Sequence, residues 1–221
     1  MDKRKIEIKI NGQAGKVTGI LQNPSSARCL FLFAHGAGAG MDHVFMEKAA
    51  QSLADVDIAT LRYNFPYTEK GGKRPDPAPV LLQTIQSAYL AAKEYANGLP
   101  VFAGGKSMGG RMTSTAASKG LLTGVKGIVF YGFPLHAPGQ PSNHRAEHLY
   151  HVEEPMLFLQ GTKDKLADLT LLQPVIDNLR GKATIHIVEG ADHSFHLPKS
   201  AGKSDEDVLK ELALKVREWS V

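Results

Sequence analysis

One serine stands in a local sequence that suits nucleophilic catalysis. Ser107 lies in the pentapeptide Gly105-Lys-Ser-Met-Gly109, which follows an apolar run at 101–103 and precedes helix-compatible residues. A serine hydroxyl becomes a useful nucleophile where the backbone holds it on a tight strand-to-helix turn, and flanking glycines leave room for that turn. The pattern predicts Ser107 as a nucleophile, with the Met108 N–H as one donor of an oxyanion hole.

This pentapeptide has two other interpretations. The Gly-x-Ser-x-Gly pattern also arises by chance in a chain with 22 glycines among 221 residues, but its strand-before, helix-after context favours catalysis. Gly105-Lys-Ser107 also resembles the end of a phosphate-binding loop. That motif needs a glycine where this chain has Pro100, so the sequence excludes it.

A catalytic serine needs a base to accept its proton and a carboxylate to hold the base. In parallel sheets, functional residues gather on loops at the carboxyl ends of strands. Asp164 follows the apolar run 156–159, and His193 follows the run 184–188. The order Ser107, Asp164, His193 therefore predicts a Ser-Asp-His triad.

Each partner has rivals nearby in the sequence. His196 lies three residues beyond His193. Asp168 stands where a helix beginning at 169 needs a cap, and Asp192 adjoins His193 too closely to orient it well. Asp164 and His193 each lie on a loop that follows a predicted strand, so they are the favoured triad residues.

The loop His35-Gly-Ala-Gly-Ala-Gly40 follows another apolar run. Such a loop can cradle phosphate, but no partner lysine or helix signature supports that here, and its amides suit an oxyanion equally well. His35 is expected to be structural, packed beside the site. Asp42 and His43 are expected to cap a helix beginning near Val44, with pocket lining as the alternative.

The segment His144-Arg-Ala-Glu-His148 matches a zinc-binding pattern. Zinc needs a third protein ligand, and within this segment only His151 offers one. A solvated, histidine-rich connection is the favoured interpretation, so neither a metal nor a cofactor is expected.

Two loops bear on the substrate. The connection between the runs 128–131 and 156–159 is too short for a lid domain, which predicts an open pocket. The loop Glu69-Lys-Gly-Gly-Lys-Arg-Pro-Asp76 carries Lys70, Lys73 and Arg74. These could attract an anionic substrate, but an ordinary solvated loop is the favoured interpretation.

The pattern of apolar residues predicts an α/β fold. Residues 6–10 and 17–21 alternate as an antiparallel hairpin turning at Asn11-Gly12, and the later apolar runs lack alternation, as buried parallel strands do. Helical periodicity falls between those runs. The prediction is a mostly parallel twisted sheet with an N-terminal hairpin and helices on both faces. The predicted parallel strands are 30–34, 58–61, 101–103, 128–131, 156–159 and 184–188, and the predicted helices are 45–53, 80–95, 111–119, 169–179 and 204–220.

Composition favours one α/β domain over residues 1–221. Hydrophobic residues make up 43% of the chain, the net charge is +4 without a dense basic run, and Cys29 is the single cysteine. The charged N-terminus has no apolar segment behind it. We therefore expect a soluble cytoplasmic protein that binds neither nucleic acid nor membranes, with its oligomeric state left open.

The chain resembles the α/β-hydrolase superfamily, and within it the small capless members similar to dienelactone hydrolase. The resemblance covers nearly the whole chain. It implies a triad of Ser107, Asp164 and His193, with the Ala37 and Met108 amides as the oxyanion hole. The chain departs from dienelactone hydrolase in having serine where that enzyme has cysteine. The motifs that carry the resemblance are His35-Gly-Ala-Gly38, Gly105-Lys-Ser-Met-Gly109, Gln160-Gly-Thr-Lys-Asp164 and Gly190-Ala-Asp-His193.

The expected activity is hydrolysis of a small carboxylic ester or thioester through an acyl-enzyme on Ser107. His35, Gly38 and Phe133 are the candidates for pocket lining. The alternatives are a peptidase or acyltransferase using the same triad, and a non-catalytic binding or scaffold protein with a hydrolase-like fold.

Overall fold

A computed structural model describes residues 2–10 and 15–220, so the predicted turn at Asn11-Gly12 lies outside the described residues. One sheet of eight strands runs through this part of the chain, and each predicted strand is present. The strands are β1 (Asp2–Lys9), β2 (Lys16–Asn23), β3 (Cys29–Ala34), β4 (Ile58–Tyr63), β5 (Val101–Lys106), β6 (Ile128–Tyr131), β7 (Met156–Gly161) and β8 (Ala183–Val188).

The strand order is β1-β2-β4-β3-β5-β6-β7-β8. β1 pairs antiparallel with β2, and β2 pairs antiparallel with β4. All the other pairs are parallel. The prediction of a mostly parallel sheet with an antiparallel start is therefore confirmed. β3 and β5 lie side by side in the middle of the sheet, so the loops after them meet at one edge.

Helices connect the strands close to the predicted positions. The short helix α2 was not predicted, and among the predicted helices the largest difference is at α4, which begins at Met108, directly after Ser107, and not at Arg111. The two glycines after Met108 lower helix propensity, but they pack closely against the β3 and β5 backbones, and this contact outweighs the local preference. The α-helices are α1 (Val44–Ala54), α2 (Pro66–Glu69), α3 (Ala78–Ala96), α4 (Met108–Ser118), α5 (Leu169–Asp177) and α6 (Asp205–Ser220), with 3-10 segments at His144–His151 and Lys199–Ala201.

Two apolar cores lie on opposite faces of the sheet. Leu30 and Leu32 of β3 face the core shared with α3, α4 and α5. Phe31 and Phe33 of the same strand face the core shared with α1 and α6. Because both faces are covered, the central strands contain no polar alternation.

The C-terminal helix α6 packs as the sequence predicts. Ser204 accepts a hydrogen bond from the Asp207 N–H and caps the helix. The Trp219 ring lies 5.6 Å from the Phe102 ring between centroids. In residues 2–10 and 15–220, no helix is both long and apolar enough to cross a lipid bilayer.

Candidate active site

Ser107 occupies a sharp turn between β5 and α4. Its backbone has φ 53° and ψ −118°, a conformation that L-residues rarely adopt and that the surrounding packing must hold in place. A Cβ added to Gly105 would overlap the Ala34 carbonyl oxygen, and one added to Gly109 would lie 2.6 Å from the His35 carbonyl oxygen. The two glycines therefore let the turn press against the end of β3.

A continuous hydrogen-bonded chain joins the three predicted triad residues. His193 Nε2 lies 2.8 Å from Ser107 Oγ, and His193 Nδ1 lies 2.7 Å from Asp164 Oδ2. The carboxylate accepts a hydrogen bond from Nδ1–H, which leaves Nε2 free to accept the proton of the serine hydroxyl. This arrangement can generate a serine alkoxide and stabilise the resulting imidazolium.

Asp164 is held by more than the histidine. Its buried carboxylate also accepts a 2.6 Å hydrogen bond from Gln160 Nε2 and a 2.8 Å bond from the Leu166 N–H. Burial raises the pKa of this carboxyl, but the hydrogen bond and charge interaction with His193, together with these two donors, hold its pKa below the usual range. Asp164 is therefore a carboxylate at neutral pH.

Sequence reasoning gave Gln160 no role of its own. Its Nε2 donates to Asp164, and its Oε1 accepts a 3.0 Å hydrogen bond from the Phe133 N–H. Gln160 is fully buried at the end of β7 and ties the loops after β6 and β7 together. The sequence feature that could have indicated this role is the position of Gln160, a polar residue at the end of an otherwise apolar strand.

The rival residues make other contacts. Asp168 caps α5 by accepting a hydrogen bond from the Thr170 N–H. Asp192 accepts hydrogen bonds from the backbone N–H groups of Ser194 and His196 and so shapes the loop that carries His193. The exposed His196 binds Asp205 on α6.

The loop after β3 is anchored by His35, which is fully buried. Its Nδ1 donates to the Gly36 carbonyl at 2.8 Å, and its Nε2 accepts a 3.3 Å bond from the Phe65 N–H. Burial lowers the pKa of His35 to about 4, so the ring is neutral at pH 7. These bonds fix the start of the loop that presents the exposed Ala37 beside Ser107. The Met108 N–H has no intrahelical acceptor, because it belongs to the first turn of α4.

Two cavities meet at Ser107, and Ala37 and Leu166 also line both. The first has a volume of about 550 Å³ and an apolar wall on the histidine side of the serine. Its lining includes Val44, Phe45, Met46, His193, Phe195 and Leu209. His43 also lines it and accepts a hydrogen bond from the Phe45 N–H as the N-cap of α1.

The second cavity, of about 440 Å³, lies on the opposite side of Ser107. α4 forms one wall through Met108, Arg111 and Met112. The loop before α3 forms another through Pro75 and Asp76. The exposed Arg145, from the 3-10 segment, also lines this cavity. Sequence reasoning gave no role to Arg111 or Arg145, because the residues that bring them together are far apart in the chain.

His35, Gly38 and Phe133, the predicted candidates for pocket lining, lie outside the walls of the two cavities. His35 and Phe133 are fully buried beneath the site, where Phe133 packs against Phe130 and Phe158, with ring centroids 5.2 and 5.8 Å apart. Gly38 lies on the exposed outer side of its loop. The residues that line the two cavities do not include these three, and the burial of His35 agrees with its expected structural role. The basic residues at 70, 73 and 74 are exposed and line neither cavity.

Lys106, between Gly105 and the serine, also lines the first cavity. Its ammonium nitrogen is buried and has no hydrogen-bond partner among the described residues. It lies 5.7 Å from the ring centroid of Phe45 and 5.9 Å from that of Phe195. Burial lowers the pKa of Lys106 to about 8, although Asp164 and Asp192 act to raise it.

The histidines of the zinc-like pattern contact different partners. His144 is exposed and binds Glu147, whereas His148 lies 2.7 Å from Ser114 Oγ on α4. Burial and the nearby Arg111 lower the pKa of His148 to about 4. Within residues 2–10 and 15–220, no group of three or more His, Cys, Asp or Glu side chains is arranged to hold a metal ion.

Comparison with known proteins agrees with this architecture. Residues 27–221 match the family described as "Alpha/beta hydrolase domain". Over 196 residues the chain is 26% identical to a Mycobacterium tuberculosis (strain H37Rv) protein named "Putative phosphoribosyl transferase". The match covers 87% of this chain but 42% of that protein, so the chain spans less than half the length of this relative.

Solved structures share the fold over nearly the whole chain. Dienelactone hydrolase from Anabaena variabilis superposes with a TM-score of 0.75 at 22% identity, covering 99% of this chain and 96% of that one. An alpha-beta serine hydrolase homologue from Coxiella burnetii gives 0.77 at 18%, covering 98% of each chain. A lidless a/b serine hydrolase from Xanthomonas campestris gives 0.76 at 16%, covering 100% and 96%. At these identities the likeness establishes the shared fold.

Proposed function

Because the chain belongs to the alpha/beta hydrolase domain family, which it matches over residues 27–221, we propose that it is a serine hydrolase that cleaves a small carboxylic ester or thioester. The observation that carries the proposal is the hydrogen-bonded chain from Ser107 Oγ through His193 to the buried Asp164, with distances of 2.8 and 2.7 Å. Ser107, at the end of this chain of hydrogen bonds, has a strained backbone and lines two open cavities.

Acylation begins when His193 Nε2 takes the Ser107 hydroxyl proton as Oγ bonds to the carbonyl carbon of the substrate. The carbonyl oxygen becomes an oxyanion, and the Ala37 and Met108 N–H groups are the proposed donors that stabilise it. When the tetrahedral intermediate collapses, the bond to the leaving oxygen or sulfur breaks. His193 gives its proton to that leaving group.

Deacylation repeats these steps with water. His193, neutral again, takes a proton from water while the water oxygen attacks the acyl carbon, and the proton then returns to Ser107 Oγ. Asp164 stays ionised throughout, because its hydrogen bonds from His193, Gln160 and Leu166 stabilise the carboxylate. Its role is to fix the imidazole tautomer and to stabilise the imidazolium.

The cavities suit a substrate of modest size. Volumes of about 550 and 440 Å³ on the two sides of Ser107 each hold a small acyl or alcohol group. The connection between β6 and β7 holds a short 3-10 segment and forms no lid over them. The relative named as a transferase is matched over less than half its length, so its name supplies no second function for this chain.

The test is hydrolysis of p-nitrophenyl acetate by the wild-type, Ser107→Ala and His193→Ala proteins, with fluorophosphonate labelling of the serine. We expect turnover by the wild type and losses of at least roughly a thousandfold in kcat/KM in both variants, since either change removes the nucleophile–base pair. His144→Ala is the matched control, because the side chain of that histidine is exposed and pairs with Glu147, away from both cavities. A p-nitroanilide with the same acyl group separates an esterase from a peptidase.

Each outcome discriminates. An inert wild type that also resists fluorophosphonate would favour the non-catalytic binding protein. Undiminished activity in Ser107→Ala would move the reaction away from this serine. Faster cleavage of the anilide than of the ester would replace the esterase with a peptidase.

A further inference from the structure

Two guanidinium groups, those of Arg111 and Arg145, line the second cavity. Arg111 lies one turn into α4, and Arg145 lies in the segment His144–His151. Neither forms an ion pair with an acidic side chain in the described part of the chain, although other arginines do, such as Arg4 with Asp2 and Arg217 with Asp57. Arg145 donates one long hydrogen bond, 3.5 Å, to the Pro134 carbonyl.

The positive charges of Arg111 and the exposed Arg145 repel each other. Arg111 is half-buried, and burial followed by the positive charge of Arg145 lowers its pKa. The acidic residue in the cavity wall is Asp76, whose Oδ2 accepts a 2.8 Å hydrogen bond from the Tyr67 N–H and pairs with neither arginine. Two guanidiniums and one carboxylate leave a net formal charge of +1, which matches a monoanion such as a carboxylate.

The position of His193 decides which half of the substrate enters this cavity. His193 must protonate the leaving group, so that group departs on its own side, into the apolar first cavity lined by Phe45 and Phe195. The acyl group stays on Ser107 Oγ and occupies the opposite side, where Met108 and Arg111 form the wall.

We propose that Arg111 and Arg145 form a specificity subsite for a carboxylate carried at the far end of the acyl group, so that the substrates are half-esters of dicarboxylic acids. Planar guanidinium groups bind carboxylates through paired, charge-assisted hydrogen bonds, which an ammonium group does not reproduce. The inference rests on the proposed serine hydrolase activity. It assigns charge recognition to the cavity wall and not to the exposed loop that carries Lys73.

The test compares two p-nitrophenyl esters built on the same six-carbon diacid. One is the mono-p-nitrophenyl ester of adipic acid, which has a free terminal carboxylate. The other is its methyl ester, in which that carboxylate is masked. Release of p-nitrophenolate gives kcat/KM for each, and the ratio of the two values reports recognition of the charge, because any general loss of activity cancels.

We expect the wild type to favour the charged ester by roughly tenfold or more in kcat/KM. A hydrogen bond to a charged group contributes enough binding free energy for a ratio of this size. Arg111→Met and Arg145→Met should each lower the ratio roughly tenfold, and Arg111→Lys should retain part of it. Lys73→Met is the matched control, since Lys73 is exposed and lines neither cavity, and its ratio should equal that of the wild type.

A wild-type ratio at or below one, or a ratio unchanged in both methionine variants, would overturn the subsite and leave the hydrolase proposal standing. A ratio that falls in Lys106→Met but in neither arginine variant would also overturn it, by moving the anion to the first cavity. A wild type that cleaves neither ester and resists fluorophosphonate would instead contradict the proposed function.

Discussion

Replacing Lys106 with methionine measures what a buried ammonium costs this fold. The nitrogen has no hydrogen-bond partner among the described residues, and its charge is partly compensated by the faces of Phe45 and Phe195 and by the carboxylates of Asp164 and Asp192. Methionine is also unbranched and nearly as long, so the variant keeps most of the packing and removes the charge.

The magnitude follows from the proton equilibrium. Burial lowers the pKa of Lys106 from 10.5 to about 8. At 1.36 kcal/mol per unit, this difference corresponds to a destabilisation of about 3 kcal/mol at neutral pH. Because the folded pKa is the lower one, the cost is complete below pH 8, declines as the pH rises and is absent above pH 10.5.

Urea unfolding at pH 7 and pH 9.5 tests both the size and the sign. We expect the free energy of unfolding of Lys106→Met to exceed that of the wild type by up to about 3 kcal/mol at pH 7. This advantage should shrink by about 2 kcal/mol at pH 9.5, where the folded wild type has lost the proton. Lys73→Met, on the exposed loop, should show no pH-dependent difference.

Two results would refute this reasoning. The methionine variant would be no more stable than the wild type at pH 7 if polar groups already compensate the ammonium. An advantage of the same size at both pH values would show that packing, and not the charge, accounts for it.

Three further changes test other parts of the site and fold. Asp164→Asn should lower kcat for p-nitrophenyl acetate on the order of 10³–10⁴-fold with little change in KM, because the amide no longer fixes the tautomer of His193; a loss below tenfold would contradict that role. Gly109→Ala should lower the free energy of unfolding by at least about 2 kcal/mol, because the new Cβ would lie 2.6 Å from the His35 carbonyl oxygen; an unchanged urea midpoint would contradict the close approach. Ser204→Ala should cost about 1 kcal/mol through loss of the α6 cap, with Ser204→Thr as the rescuing control, because threonine keeps the hydroxyl that accepts from the Asp207 N–H and donates to the Asp207 carboxylate; an unchanged urea midpoint in Ser204→Ala would contradict the cap.

Much of the fold follows from local sequence. Runs such as β3 and β6 are apolar on both sides because both faces of the sheet are covered, and that pattern is visible without a structure. The start of α4 was harder to predict. Helix propensity disfavours the two glycines after Met108, and only their contact with the neighbouring strands explains why the helix begins so early.

By itself, the sequence determined the order of the elements, the turn at Ser107 and the loops that carry Asp164 and His193. These features depend on neighbouring residues and on the rule that strands in a parallel sheet end at one edge. Only the tertiary structure decided which side chains face the cavities. It buries His35 and Phe133, and it brings Arg145 to Arg111 from a separate segment. Such pairings depend on how distant loops pack together, which no local pattern encodes.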